Sequence, residues 1–319
     1  MTIHKINDLK VYPLLPKEEE NNIRFFIIRH GETSYNKKKI IQGHLDISLN
    51  DQGIEQSRQL NAFLINAISE SEADIFLSKN NVDAIYTSDL RRCVETLEHA
   101  IKDSGRLEDV IVTDQLRERH MGEVQGMTRF DAEKKALAEG KKSIADYGES
   151  IKQLQDRLES YFLKTIIKRS IEKNEKNVVV FSHGAAIRYL LLRLFNNDSD
   201  YLYSKLPIEQ RASLSDANSN DSTLHFGNTC VNVVDYNKVT KKFDLKLMNG
   251  LYHITDDSIK LDDTSNGTIQ RLFKNDYNYL FSNLPIEPRA DITDAKDANS
   301  AFHFENTCVN VVDYSKTTR

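Results

Sequence analysis

A chain of 319 residues has room for one large domain or two small ones, with a substantial core. Its formal net charge of -5 and its pI of about 6.0 exclude a protein that is basic throughout, so any site for an anion must be local. Three cysteines without metal-ligand spacing fit a reducing compartment and free thiols rather than a disulfide framework.

Short apolar runs alternate with helical patterns along the chain. Strands are predicted at 24–28, 82–88, 109–114, 177–183, 225–236 and 243–249. Helices are predicted at 49–68, 89–105 and 184–195, with a charged helical span at 128–173 and polar surface loops at 69–81 and 213–222. Strands that alternate with helices predict an α/β fold of three layers, in which helices cover both faces of a mostly parallel sheet.

Two of the predicted strands end in the same way. The run FFIIRHG places His30, and the run VVFSHG places His183, at a carboxyl end just before a glycine. Ligands of open α/β sheets bind beyond the carboxyl ends of the strands, so both histidines are expected to project from one edge. Gly31 and Gly184 allow close backbone approach, and a helix N-terminus nearby offers free N–H groups to an anion.

Arginines accompany these histidines. Arg29 precedes His30, while Arg91 and Arg92 follow the strand at 82–88, and arginine suits bidentate binding of phosphate oxygens. A single histidine at a strand end is more often structural, but the second one at an equivalent strand end weakens that interpretation. The arginine pair alone could be a solvated helix N-terminus. Because the helix dipole disfavours cations there, a bound anion would explain their presence better.

A metal site is the competing chemistry at this edge. The side chains of suitable type are those of His30, His183, Asp89 and Glu118. Arg29 and Arg92 would repel a divalent cation, so a phosphate is favoured and neither a metal nor another cofactor is expected. For Lys37, Lys38 and Lys39, a solvated charge run and a rim contact to a second phosphate or carboxylate are equally good interpretations.

A series of short motifs runs through most of the chain. In order, it consists of RHGETSYN, IIQGHLDISLNDQG, SDLRRCVET, LRERHMGEVQG, YGES, VVFSHGAAIR, NTCVNVVDY and LMNGLYHI. In order and spacing the series resembles the histidine phosphatase superfamily, also called phosphoglycerate-mutase-like, over residues 24–254. The likeness is greatest to members that act on fructose-2,6-bisphosphate, and it implies the phosphoglycerate-mutase-like form of the three-layer fold.

The resemblance also implies roles for individual residues. His30 would be the nucleophile that becomes phosphohistidine, and Glu118 would give a proton to the leaving group. Arg29, Arg92 and a protonated His183 would hold the transferred phosphoryl group and stabilise its charge without magnesium. The substrate-contact positions that it implies are Asn36, Gln42, Gly43 and Gly184.

Three positions depart from the family pattern. The family usually has Pro at Ser48, Glu at Gln125 and Gly at Tyr147. The first two departures are expected to tune loops, and Tyr147 is expected to reshape the substrate side of the pocket. None of the three removes a chemical participant.

The expected activity is that of a metal-independent phosphatase of small phosphorylated metabolites. A phosphoglycerate mutase is the enzymatic alternative, because it would use the same groups but pass the phosphoryl group back to its product. A non-catalytic phosphate-binding interaction protein is the alternative from another class, and the joint presence of all the implied catalytic residues argues against it. No basic stripe with interleaved aromatic residues occurs, so nucleic acid is not an expected partner.

The chain is expected to contain an N-terminal extension at 1–22, a catalytic domain at 23–255 and a C-terminal appendage at 256–319. Residues 273–318, here named copy two, duplicate residues 195–240, here named copy one, without a gap. Copy one is expected to complete the catalytic sheet. Copy two is expected to be an appendage that could pair with a sheet edge or a second chain, which would cause self-association. In the alternative, copy two displaces copy one from the sheet.

The location of the protein is the last expectation from sequence. The N-terminus has no apolar core of the length found in signal peptides. No segment reaches the roughly 18 apolar residues of a membrane span. A cytoplasmic protein without a membrane partner is therefore expected, and a nuclear location stays open.

Overall fold

The computed structural model describes residues 20–66, 82–102, 107–206, 225–251 and 253–254. The chain divides into two units, Met1–Thr255 and Asp256–Arg319, and every described residue lies in the first. Most of the predicted N-terminal extension, the polar loops predicted at 69–81 and 213–222, and copy two fall outside the described residues. The domain boundaries therefore stay predictions.

A six-stranded sheet forms the centre of the described unit. Its strands are β1 (Asn22–Arg29), β2 (Ala84–Ser88), β3 (Val110–Thr113), β4 (Asn177–Ser182), β5 (Val231–Asn237) and β6 (Phe243–Gly250). They lie in the order β3-β2-β4-β1-β5-β6. The first four strands in this order are parallel to one another, whereas β5 is antiparallel to β1 and β6 is antiparallel to β5. The prediction of a mostly parallel sheet is confirmed.

Helices flank this sheet. They are α1 (Ser34–Lys37), α2 (Asp51–Asn66), α3 (Arg91–Ile101), α4 (Arg129–Ala138), α5 (Ile151–Tyr161), α6 (Lys168–Glu172), α7 (Gly184–Leu194) and α8 (Ser199–Ser204). A π-helical stretch, Phe162–Ile167, joins α5 to α6. None of the helices among the described residues is both long and apolar enough to cross a membrane.

The two faces of the sheet carry separate cores, because the side chains of a strand point alternately to its two sides. Phe25 of β1 packs in one core with Leu154 of α5 and Leu190 of α7. Its neighbour Phe26 packs in the other core with Leu97 of α3. A strand that is buried on both faces is continuously apolar, and this explains why FFII predicts a strand. The three-layer α/β/α arrangement is confirmed.

Some predicted boundaries are wrong. The helical span predicted at 128–173 breaks between α4 and α5, where Gly140 and Gly148 have φ angles of +69° and +64° in the left-handed region. The strand predicted at 225–236 starts only at Val231, since residues before it turn around the carbonyl of His30 and bind it. α3 ends at Ile101, before the glycine that was expected to end it.

Candidate active site

The structure brings His30 and His183 together at the carboxyl edge of the sheet. Each follows the last residue of a strand, and β1 and β4 are parallel neighbours with Arg29 opposite Ser182. The centroids of the two imidazole rings are 5.2 Å apart, and the rings are inclined by 59°. Both residues are buried, with exposed fractions of 2% and 0%.

The hydrogen bonds of His30 define its tautomer. Its Nδ1 lies 2.7 Å from the carbonyl oxygen of Gly31, and a carbonyl only accepts, so Nδ1 carries the proton. The Nε2 lone pair is therefore unprotonated. Burial, followed by the charges of Arg92 and Arg29, lowers the pKa of His30 well below its ordinary value. The imidazole is thus neutral near pH 7.

His183 has the opposite tautomer. Arg92 donates from Nε to Nδ1 of His183 at 3.1 Å, so that nitrogen carries no proton. The proton is on Nε2, which donates to Ser88 Oγ at 2.8 Å. Burial, followed by the charge of Arg92, lowers the pKa of His183 well below its ordinary value. This arrangement therefore gives a neutral His183, whereas the resemblance implies a protonated one, because a second ring proton would meet the Arg92 donor.

Arg92 joins the histidine pair to the segment that follows α1. It is fully buried, with an exposed fraction of 0%. Its Nη1 and Nη2 donate to the carbonyl oxygens of Leu45 and Gly43, each at 2.8 Å. A guanidinium has five N–H donors, and these two bonds with the bond to His183 use three. The other donors are available to phosphoryl oxygens.

Arg29 lies against the start of α7. Its Nη1 donates to the carbonyl of Phe226, while its buried Nε has no hydrogen-bond partner. A Cβ atom at Gly184 would come within 3.1 Å of that Nε. A larger residue at position 184 would crowd the guanidinium of Arg29, so glycine is needed there. Arg29 also retains N–H donors for an anion.

Glu118 binds the N-terminus of α7. Its carboxylate accepts the backbone N–H groups of Ala185 and Ala186 at 3.1 and 3.0 Å, and that of Arg119 at 2.8 Å. The first N–H groups of a helix lack partners within the helix, and the helix dipole favours a negative charge beside them. This contact places Glu118 next to His183, the residue before α7.

Asn36 and Gln42 both contact Thr33, the residue before α1. Thr33 and Asn36 form a capping box, in which Asn36 Oδ1 accepts from the backbone N–H of Thr33 at 3.1 Å. Gln42 is buried, and its Oε1 lies 3.0 Å from Thr33 Oγ1. The amide oxygens of Asn36 and Gln42 thus both contact Thr33, which lies three positions after His30.

Gly43 and Gln125 connect two segments of the site. Gly43 has a φ of +51°, and a Cβ there would lie 2.1 Å from Gln125 Oε1. The same oxygen accepts the backbone N–H groups of His44 and Met121 at 2.8 and 3.1 Å. Gln125 thus ties the Gly43 segment to the one after Glu118, which is a loop role of the kind expected for it.

Tyr147 packs in a small core of its own. Its ring contacts a cluster formed by Val124, Ala132 and Ala136, beside α4. Its hydroxyl donates to Glu139 Oε2 at 2.6 Å. Through these contacts Tyr147 packs against α4 and stabilises its position. This role differs from the substrate-side role expected from the sequence.

The alternative metal ligands do not form a cluster. Asp89 instead forms a bidentate ion pair with Arg117, at 2.7 and 2.6 Å, and this bond lowers the pKa of Asp89. Among the described residues, no group of three or more His, Cys, Asp or Glu side chains could hold a metal ion. The three lysines, Lys37, Lys38 and Lys39, are exposed at the end of α1.

Sequence reasoning missed two residues beside His183, namely Ser88 and Cys93. Ser88 fixes the tautomer of His183 from 95 positions earlier in the chain, so only the folded structure reveals the contact. Cys93 Sγ lies 3.5 Å from His183 Nε2 and donates to the Ser182 carbonyl at 3.2 Å. Burial raises the pKa of the Cys93 thiol, so the thiol stays neutral and is not a rival nucleophile.

These features define an α/β protein with two buried imidazoles and two arginines at the carboxyl ends of parallel strands, suited to a phosphoryl group. The model of the histidine phosphatase superfamily (branch 1) matches residues 25–226, and the chain belongs to this family. The chain is accordingly a phosphatase of the histidine type.

Two relatives named as phosphatases and one solved structure show what the chain is similar to. The broad-specificity phosphatase YOR283W of Saccharomyces cerevisiae is 33% identical over 257 residues, which are 80% of this chain and 97% of that protein. The metal-independent phosphoserine phosphatase of Arabidopsis thaliana is 31% identical over 186 residues, which are 56% of this chain and 71% of that protein. The crystal structure of phosphoglycerate mutase from Bacillus anthracis has the same fold, with a TM-score of 0.54 and 20% identity over 73% of this chain and 95% of that chain.

Proposed function

We propose that this phosphatase hydrolyses small phosphorylated metabolites through a phosphohistidine at His30, without a metal ion. The observation that carries the proposal is the tautomer of His30. Its Nδ1 proton is bound to the Gly31 carbonyl at 2.7 Å, so the Nε2 lone pair is free to attack phosphorus. Because the pKa of His30 is lowered well below its ordinary value, the ring is a neutral nucleophile at physiological pH.

The first step transfers the phosphoryl group to His30. A bond forms between Nε2 and phosphorus while the bond from phosphorus to the leaving oxygen breaks. The transition state spreads negative charge over the phosphoryl oxygens, so catalysis depends on positioning and on charge stabilisation. The unused N–H donors of Arg29 and Arg92 stabilise this negative charge. His183 holds Arg92 in place through the 3.1 Å bond from Arg92 Nε to His183 Nδ1.

Glu118 serves both steps of the reaction. In the first step its protonated carboxyl gives a proton to the leaving alkoxide. In the second step the carboxylate takes a proton from the water that attacks phosphohistidine, which releases inorganic phosphate and restores His30. The N–H groups of Ala185 and Ala186, at 3.1 and 3.0 Å, support the carboxylate form that the second step needs.

The substrate class is supported by relatives and by one motif. The yeast relative is named for broad specificity, and the plant relative is named for phosphoserine. The run NKKKIIQG at 36–43 is similar to the corresponding run of the fructose-2,6-bisphosphatase TIGAR, which supports fructose-2,6-bisphosphate or another sugar phosphate. The exposed Lys37, Lys38 and Lys39 would then meet a second phosphate at the rim of the site.

A panel of phosphate esters tests this proposal. Phosphoserine, 3-phosphoglycerate, sugar phosphates including fructose-2,6-bisphosphate, and p-nitrophenyl phosphate are each assayed for phosphate release in excess chelator. Brief incubation with a radiolabelled ester and an alkaline quench should trap an acid-labile phosphoenzyme. His30→Ala should give neither product nor label, whereas the control His99→Ala on α3 should give both.

Several results would contradict parts of the proposal. Equal labelling of His30→Ala would place the nucleophile elsewhere. Activity that is lost on chelation and restored by zinc or magnesium would show that a metal is needed. Transfer of the label to a second hydroxyl of the product, rather than to water, would identify the phosphoglycerate mutase alternative.

A further inference from the structure

Glu118 stands on a segment that has little regular structure of its own. Residues 115–120, here named the acid segment, follow β3, and from Arg117 to Met121 the chain forms neither helix nor strand. A general acid must nevertheless be held within hydrogen-bond reach of the leaving oxygen. Contacts from outside the acid segment therefore have to fix its backbone.

We propose that Arg157 is a positioning residue that fixes Glu118 through the backbone of the acid segment. Arg157 lies on α5 and reaches three carbonyl oxygens of this segment. Its Nη1 donates to Gln115 at 2.7 Å and to Arg117 at 3.2 Å, and its Nη2 donates to Arg117 at 3.2 Å and to Glu118 at 3.3 Å. One guanidinium thus holds the backbone just before Glu118 and at Glu118 itself.

Glu149 holds Arg157 in this orientation. Its carboxylate accepts from Nε and Nη2 of Arg157, both at 2.9 Å. Glu149 also binds the far end of the acid segment, since its backbone N–H donates to the His120 carbonyl at 2.8 Å and its Oε2 accepts from the His120 N–H at 3.3 Å. The pair of Glu149 and Arg157 therefore contacts the acid segment from its first residue to its last.

The charge and the shape of this pair both matter. Burial alone would raise the pKa of Glu149, but the hydrogen bond and the charge of Arg157 hold that pKa below its ordinary value, so Glu149 is a carboxylate at neutral pH. The side chains are 18% and 15% exposed, so solvent screens the pair only in part. A lysine could not replace Arg157, because an ammonium group has no planar fork to bridge a carboxylate and several carbonyl oxygens.

This inference rests on the proposed function of Glu118 as acid and base. Because a displacement of about 1 Å in a reacting group can cost roughly 100-fold in rate, a loosened acid segment should impair proton transfer specifically. Esters with a poor leaving group, such as phosphoserine, depend on that proton. p-Nitrophenyl phosphate depends on it much less, since its leaving group is already a stable anion.

Activity measurements on Arg157→Met and Arg157→Lys provide the first part of the test. We expect kcat for phosphoserine to fall about 10- to 100-fold more than kcat for p-nitrophenyl phosphate. In a Glu118→Gln background, Arg157→Met should have little further effect, because both changes remove the same proton transfer. The matched control is Arg193→Met, which breaks the Arg193–Glu159 pair, 2.9 Å long, between α7 and α5 without touching the acid segment.

Hydrogen exchange measured by mass spectrometry provides the second part, and it does not depend on activity. Peptides that cover 115–120 should exchange faster in Arg157→Met than in the wild type or in Arg193→Met, while β1 and β4 stay protected and show that the variant is folded. If Arg157→Met does not fold, Arg157→Lys takes its place. Unchanged exchange in the acid segment, or equal losses of kcat on both esters, would overturn the proposal. A wild-type protein that forms no phosphoenzyme would instead refute the proposed function, and the exchange result would still decide whether Arg157 fixes the segment.

Discussion

His30 and His183 hold their protons on different ring nitrogens, and each choice follows from its neighbours. The Gly31 carbonyl requires a proton on Nδ1 of His30, whereas the Arg92 donor requires its absence from Nδ1 of His183. A second proton on either ring would create a cation in a buried site that already contains arginines. Burial first, and then the charge of Arg92, therefore lowers the pKa of both rings.

The protein should become less stable as the pH decreases, because of these two histidines. The unfolded chain protonates each ring near pH 6.5, while the folded chain keeps it neutral to a much lower pH. Between these pKa values the unfolded state binds more protons than the folded state. The contribution of each histidine to the free energy of unfolding is therefore complete above pH 6.5, and below pH 6.5 it decreases by about 1.4 kcal/mol per pH unit. Urea titrations of wild type and His30→Asn on both sides of pH 6.5 measure this slope, which should be smaller in the variant. Parallel slopes would show that His30 is not held neutral.

Glu118→Gln should slow esters with poor leaving groups far more than p-nitrophenyl phosphate. A glutamine cannot give the proton that an alkoxide needs, so we expect a loss of about 100- to 10,000-fold in kcat for phosphoserine. The matched control is Glu123→Gln, since Glu123 is an exposed carboxylate a few residues further on. Steady-state kinetics on both esters test this prediction. An equal loss of kcat on the two esters would show that Glu118 is not the general acid.

His30 and His183 could be located from the sequence because each directly follows an apolar strand. The motifs RHG and SHG set His30 and His183 at carboxyl ends, and the parallel pairing of β1 with β4 then brings them together. Ser88 and Arg157 could not be found in this way. Their roles depend on contacts with residues that are 95 and 39 positions away in the chain, and no local pattern encodes these contacts.

At the level of elements, β1 and β5 are joined by a buried ion pair. Arg24 Nε and Nη2 donate to the two carboxylate oxygens of Asp235 at 2.7 and 2.8 Å, and the two side chains are 1% and 3% exposed. The apolar run after Arg24 predicts a strand, but it does not predict the antiparallel pairing with β5.

Asp235→Ala should destabilise the protein strongly. It leaves the Arg24 guanidinium buried without its carboxylate, and breaking a buried pair in this way costs about 3–5 kcal/mol of unfolding free energy. The double variant Arg24→Met/Asp235→Leu should cost less than the single change, because it replaces both members of the ion pair with apolar side chains. Asp244→Ala on β6 is the matched control, since it removes a half-exposed pair with Lys246 that is worth about 0–1 kcal/mol. Equal effects of Asp235→Ala and Asp244→Ala in urea titrations would contradict this account.

At the scale of the whole molecule, the fold shows what the repeated sequence does in copy one. The letters NTCVNVVDY at 228–236 recur unchanged at 306–314. In copy one they form β5 and its approach, where Thr229 donates to the His30 carbonyl, Cys230 accepts from Arg29, and Asp235 pairs with Arg24. Copy two therefore repeats this stretch of nine residues, including Asp313 at the position of Asp235, but it has Ser315 where Asn237 of copy one donates to Asn22 of β1.

Copy two should promote self-association, because it offers this pairing sequence a second time. β3 and β6 are the edge strands of the described sheet, and an extended segment of another chain can add to such an edge. Light scattering should show a molar mass that rises with concentration for the full chain and stays monomeric for a chain truncated after Asp256. A full chain that remains monomeric at all concentrations would remove this role from copy two.

Copy one, rather than copy two, should supply β5 of the catalytic sheet, and two aspartates provide a matched test. Asp235 pairs with Arg24, and Asp313 holds the same position in copy two. β5 pairs with β6 in the sheet, and the sequence of β6 follows copy one directly. We therefore expect Asp235→Ala to lower the free energy of unfolding by about 3–5 kcal/mol and Asp313→Ala to leave it unchanged. The chain truncated after Asp256 should fold and hydrolyse the test esters with the kcat/KM of the full chain. If copy two displaced copy one, Asp313→Ala would be the destabilising change, and the truncated chain would be insoluble or inactive until residues 257–319 were restored.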